Sequence, residues 1–206
     1  LVSGTPTSSA TAASYTITAT NGGGTSTATF TITVALPAQT ISFTQPPNLV
    51  LGSTPAALVA TASPSGYTVA FASTTTGVCT ASGATLTILT AGTCSITASQ
   101  NGNPSYSAAT DVVKSFSVYS GSLSGAATFG QVLTANATAF TPATYQWKRS
   151  ATAGGTYSDI AGATSSTYTL TGSDVGNYVK VAMTSSDALV VTTSASASVG
   201  ALSQTI

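Results

Sequence analysis

Few side chains in this sequence could do chemistry. There is no histidine and no glutamate. The acids are Asp111, Asp159, Asp174 and Asp187, the bases Lys114, Lys148, Arg149 and Lys180, and the thiols Cys79 and Cys94. General acid–base or nucleophilic catalysis needs a positioned base or a carboxylate pair. Four aspartates scattered through the last half of the chain supply neither, and Asp159, Asp174 and Asp187 read more simply as turn residues. No motif sets a serine beside a lysine as nucleophile and base. The expectation is a chain that is not an enzyme and takes no cofactor.

The two cysteines lie 15 positions apart. A zinc site wants four ligands, and the chain has two cysteines and no histidine. The reading favoured here is a Cys79–Cys94 disulfide, with two buried free thiols as the alternative. A disulfide implies an oxidising, extracytoplasmic compartment, and closing a loop of that length stabilises a fold by roughly 3 kcal/mol. Calcium between extracellular modules uses clustered carboxylates, and the sequence has no such cluster. A lysine–asparagine cross-link needs a buried acid beside the pair, and Lys148 or Lys180 near Asp159 or Asp174 is the one conceivable set. Asn136, Ala137 and Thr138 match a glycosylation sequon, a pattern too short to carry weight.

These residues are sparse because charge itself is sparse. Only 4% of the 206 residues are charged and the net charge is zero, against about 25% charged in ordinary soluble domains. Such a surface has almost no long-range repulsion to keep copies apart. It is a poor partner for nucleic acid, whose affinity comes largely from lysine and arginine on phosphates. No apolar run approaches the roughly 18 residues that span a membrane, so no membrane insertion is expected within this stretch, and it contains no signal-peptide pattern.

The elements that would position these residues are strands. Strand signals bounded by Gly, Pro, Asn or Ser recur every 8–12 residues, the pattern of an all-β sandwich protein. Residues 14–20 and 25–36 form a hairpin around Asn21, Gly22, Gly23 and Gly24. In its second strand Ala28, Phe30, Ile32 and Val34 alternate with Thr27, Thr29, Thr31 and Thr33, one face for a core and one for water. A lone hairpin is marginal in water, so strands from upstream or from another chain must cover it. Further strands are expected at 40–44, 57–62, 67–72, 78–81, 85–89, 93–100 and 112–119, with Tyr67, Val69 and Phe71 on one face. A third set is expected at 131–138, 143–149, 167–170, 178–185 and 189–199. Cys79 and Cys94 flank the strand at 85–89, so their bond would pin two sheets together. Trp147, the single tryptophan, beside Tyr145, is the natural core anchor.

Ala35, Leu36, Pro37, Ala38, Gln39, Thr40 and Ile41 reappear almost unchanged as Ala201, Leu202, Ser203, Gln204, Thr205 and Ile206. The repetition suggests a stretch of a longer tandem array. Its parts are a partial module at 1–36, modules at 37–119 and 120–200, and at 201–206 the first strand of a following module or a donor strand. Leu202 and Ile206 on one side, and Phe30, Ile32 and Val34 on the other, are then the residues for strand exchange between neighbours. The partners are neighbouring modules or copies of the same protein.

Asp174, Gly176 and Tyr178, with Trp147 upstream, resemble the immunoglobulin-like fold, in which the tryptophan sits mid-sandwich and the tyrosine at a corner. That resemblance makes Tyr178 a core residue beside Trp147 and Tyr145; Lys180 stands where the fold often has a cysteine. Gln131, Val132, Leu133 and Thr134, then Tyr145, Gln146 and Trp147, then Ile160, Gly162, Ala163 and Thr164, and finally Tyr168 and Leu170, resemble an immunoglobulin-like repeat of bacterial surface proteins. The middle stretch is similar to another repeat of giant secreted bacterial proteins, through Val78, Cys79 and Thr80, the run from Ala91 to Ala98, and Gln100, Asn101, Gly102, Asn103 and Tyr106. The front piece, Ser3 to Thr7 and Tyr15 to Asn21, resembles the second half of such a module. Together these imply tandem immunoglobulin-like β-sandwiches at a bacterial cell surface or outside the cell. Their work would be that of a stalk, sheath or filament or, as the alternative, an adhesin segment binding glycan or a host surface. The Thr-x-Thr run could suggest a flat ligand-facing surface, but threonine is an ordinary solvent-side strand residue and one strand is not an array. Inward packing accounts for most of the tyrosines Tyr15, Tyr106, Tyr119, Tyr157 and Tyr168.

Overall fold

The computed structural model describes residues 10–64 and 66–202. Among the described residues every regular element is a strand apart from a single 3₁₀ turn at Gly172–Asp174. The first two strands, β1 (Ala10–Asn21) and β2 (Gly24–Val34), form an antiparallel hairpin. Eight strands follow: β3 (Thr40–Phe43), β4 (Leu49–Val50), β5 (Ala60–Ser63), β6 (Ala70–Ser73), β7 (Cys79–Ser82), β8 (Thr85–Ile88), β9 (Gly92–Ser99) and β10 (Val112–Ser124). The last six are β11 (Val132–Thr138), β12 (Thr144–Ser150), β13 (Ser158–Asp159), β14 (Thr167–Thr169), β15 (Tyr178–Thr184) and β16 (Val190–Thr192).

Two hydrophobic cores result. In the first, β6, β9 and β10 make one layer, with the β3–β5 and β7–β8 pairs opposite. Alternation along β9 buries Cys94, Ile96 and Ala98, and Phe43, Leu58, Val69, Leu86, Phe116 and Val118 complete the core. In the second, the β14–β11–β10 layer faces a β13–β12–β15–β16 sheet. Between them lie Trp147 from β12, Val179, Val181 and Met183 from β15, and Leu133 and Leu170. Period-2 alternation is why β15 buries every second residue from Val179 to Met183 while Lys180 and Ala182 face outward. The Trp147 ring is fully buried, stacks on Tyr168 at 5.5 Å between centroids, and donates its indole N–H to the Ser165 carbonyl at 2.8 Å. A central tryptophan strand in one sheet, packed across a sandwich from the other, is the immunoglobulin-like arrangement. The chain is all-β, a tandem of immunoglobulin-like sandwiches.

Several strands differ from their sequence expectation, and the one expected over 57–62 begins only at Ala60. The last strand was expected over 189–199 but the ladder covers Val190–Thr192 alone. Beyond it the hydroxyls of Thr193 and Ser196 accept the Val181 and Val179 N–H groups, replacing carbonyls that a regular ladder would use. The strand expected over 67–72 starts at Ala70; a turn closed by Gly66 N–H on the Ala62 carbonyl lies before it, and residues 67–69 join no ladder. Val69 and Phe71 join the core, but Tyr67 is exposed. The strand expected to end at Tyr119 runs on without a break to Ser124.

Candidate functional site

Two features distinguish this molecule: the hairpin at one end and the junction between the two cores.

The hairpin register pairs Ala13 with Ile32, Tyr15 with Phe30, Ile17 with Ala28 and Ala19 with Ser26 on one face. The opposite face pairs Ser14, Thr16, Thr18 and Thr20 with Thr31, Thr29, Thr27 and Thr25. One face is therefore apolar and the other wholly hydroxylated. Gly22 and Gly23 make the two-residue turn, closed by the Gly23 N–H on the Asn21 side-chain oxygen at 2.8 Å. The apolar face is not a core. Tyr15 is 49% exposed, Ile17 52%, Phe30 36% and Ile32 39%. The Tyr15 and Phe30 rings stack on each other at 5.7 Å. Val34, at the base of the hairpin, is half-buried. Contiguous apolar surface of this kind marks an interaction site.

Leu202 is exposed at the far end, and Ile206 lies outside the described residues. The chain is held up to Gly200, whose N–H and carbonyl bond Ala127 and Phe129. The first copy of the repeated motif shows what its glutamine does. Gln39 is buried, and its amide donates to the Gln100 side chain at 2.6 Å and the Ser107 carbonyl at 2.8 Å, while Ile41 packs on the first core.

The junction has no linker. β10 pairs with β9 through Val112–Val118 in the first sandwich and with β11 through Ser120–Ser124 in the second. The short strand β4 lies parallel to it at Val118 and Tyr119. Leu49 of β4 packs into the first core and Val50 into the second. The Asn48 side chain donates to the Tyr119 hydroxyl and to Asp187, each at 2.8 Å, and accepts the Ser117 N–H at 2.8 Å. Tyr119 in turn donates to Asp187, and Ser185 donates to its other oxygen. Donation from Ser185 and then Asn48 holds the Asp187 carboxyl below the usual carboxylate range. Burial, the Asp187 charge and their hydrogen bond push the Tyr119 hydroxyl up. Nothing in the sequence pointed to this clasp, since Asn48 and Asp187 are 139 residues apart.

Cys79 on β7 and Cys94 on β9 are bonded, buried, with Cα atoms 5.7 Å apart, and they join opposing layers of the first sandwich. In the second, Asp174 stands in a turn as expected, but its carboxylate is buried. It accepts the Thr171 N–H and hydroxyl, both at 2.7 Å, the Tyr168 hydroxyl at 2.8 Å and Arg149 Nη1 at 2.9 Å. Burial pushes this carboxyl upward, but those donors outweigh it and hold it below the usual range. Of the expected anchors, Trp147 is central, Tyr145 packs at the rim of the core, and Tyr178 is half-buried outside it. Lys148 contacts Asp159 at 2.5 Å on adjacent strands, both accessible to water. That is an ion pair without the buried acid a cross-link needs. Among the described residues no group of three or more His, Cys, Asp or Glu side chains gathers as a metal site.

A scan against protein-family models gives no match, and a search of curated proteins finds none either. Among solved structures the chain is similar to the crystal structure of domains A168-A170 from titin. The identity is 14%, over 93% of this chain and 75% of that one, and the TM-score is 0.32.

Proposed function

We infer that the chain is a non-enzymatic structural repeat of an extracellular assembly, part of a stalk, sheath or filament at a bacterial surface. The observation that carries this reading is the uncovered apolar face of Tyr15, Ile17, Phe30 and Ile32 on a two-stranded hairpin. Such a ribbon needs a second layer, and an unpaired edge and face recruit one by strand addition. The layer comes from elsewhere in a longer parent polypeptide or from a neighbouring copy. Residues 37–119 and 120–200 serve as successive modules. Residues 201–206, repeating the motif whose glutamine is buried at position 39, open the next module or act as a donor strand. The disulfide supports placement outside the cytoplasm, and the bacterial repeats the sequence resembles support a cell-surface setting. Head-to-tail addition of this kind gives an open fibre wherever its rotation does not close into a ring.

Electron microscopy of native material and sedimentation of the 206-residue chain over a range of concentrations test this. Elongated particles are expected, with a mass that rises with concentration for the wild type and not for Phe30→Lys. Compact monomeric particles in both experiments would overturn the reading.

A further inference from the structure

The outward face of the β13–β12–β15–β16 sheet gathers charge in a chain that has almost none. Register places Lys148 of β12 directly opposite Lys180 of β15, with Asp159 of β13 on the far side of Lys148. Like charges directly opposite across a ladder are destabilising. Asp159 relieves one of them, with its Oδ1 2.5 Å from Lys148 Nζ. Lys180 has no carboxylate partner among the described residues, and its Nζ lies 4.0 Å from the centre of the Tyr157 ring. That ring is fixed in turn by its hydroxyl on the Ala153 carbonyl at 3.0 Å. Arg149, the neighbouring cation, is turned inward to the buried Asp174 and is satisfied there. One uncompensated ammonium thus stands on an aromatic platform beside a second lysine. Tyr178 lies opposite Ser150 one step along the same face, and Thr144 opposite Thr184.

We propose that this face binds the carboxylate of an acidic saccharide, a uronic-acid or similar residue, between Lys180 and Lys148. The carboxylate supplies the counter-charge that Lys180 lacks among the described residues. The threonine hydroxyls and the outer oxygen of Asp159 match sugar hydroxyls as donors and acceptors. A sheet surface flanked by tyrosines suits the flat faces of sugar rings better than it suits a peptide, which takes a sheet edge. The site stands whether or not copies of the chain assemble.

Surface plasmon resonance of the 206-residue chain over immobilised polygalacturonate, dextran and polyglutamate tests it, at low and high salt. Binding to polygalacturonate and not to dextran is expected, weakening with salt. Lys180→Gln should weaken it about fivefold, the range of an exposed ion pair. Lys148→Gln should weaken it further, because Asp159 is then left as a bare negative charge, and Lys114→Gln on the first sandwich should leave it unchanged. Trp147 fluorescence melting should show each variant still folded, with Lys180→Gln no less stable than the wild type because it removes the opposed charge. No binding to polygalacturonate, or binding indifferent to Lys180→Gln, overturns the site. Equal binding to polyglutamate overturns its assignment to a saccharide.

Discussion

Replacing Asp174 by asparagine should cripple the second sandwich and leave the first folded. The carboxylate is fully buried and satisfies four donors from Thr171, Tyr168 and Arg149. Asparagine keeps the shape but turns one acceptor oxygen into a donor aimed at those groups, and leaves Arg149 without its counter-charge. Breaking a buried ion pair by removing one partner costs about 3–5 kcal/mol. The Arg149 side chain is 34% exposed, so water recovers part of its solvation and the cost falls to about 2–4 kcal/mol. That is a large share of the roughly 5–15 kcal/mol that holds a domain folded. Trp147, the single tryptophan, lies in this core, so its fluorescence during urea unfolding reports on this sandwich. The same substitution has a pH signature. A carboxyl whose folded pKa is depressed contributes stability that is present above its unfolded pKa, near 3.9, and lost as pH falls through the folded value. The wild type should therefore lose Trp147-reported stability as pH drops below about 4, and Asp174→Asn should lack most of that acid limb. A loss under about 1 kcal/mol, or an acid limb identical to the wild type, would refute the account of Asp174 as an ionised, satisfied core group.

Four further outcomes follow from other parts of the fold. Replacing both cysteines by alanine should cost the first sandwich about 3 kcal/mol, from the loop that the bond closes; differential scanning calorimetry should show its transition moved down. Gly125→Ala should destabilise the second sandwich by about 2 kcal/mol or more, because φ is +111° and the added Cβ would collide with the Val132 carbonyl; Trp147 fluorescence reads it. Asn48→Ala should leave the Ser117 N–H without its acceptor, a loss of about 1–3 kcal/mol, seen as faster hydrogen exchange at that amide with the disulfide intact. Tyr168→Phe removes one donor from Asp174 and should cost about 1–2 kcal/mol, less than Asp174→Asn in the same urea titration.

Local pattern made most strands readable. The alternation in β2, β9 and β15 is regular, and apart from Ser26 the hydroxyl and apolar residues separate onto the two faces of the hairpin. Cys79 and Cys94 flank a strand, and their bond joins two layers as the spacing suggested. What depends on distant residues was not readable. The two-residue strand β4 has no periodicity to detect, yet it pairs with β10 some 69 residues away. Asp174, followed by Gly176 and Asn177, reads as a turn residue; the turn exists, but its carboxylate points into a pocket made by Arg149 and Tyr168. The cross-strand meeting of Lys148 with Lys180 depends on register, which a sequence states only through its turns and its buried face.

One ribbon, β10, belongs to both bodies. The two bodies are therefore joined by a continuous strand and not by a tether. A pull applied along the chain meets no slack at this point: it must slide ladders past each other before either body can turn. Repeated down a line of such units, that shared ribbon would give a stiff, handed shaft whose pitch is set inside the protein and not by whatever surrounds it.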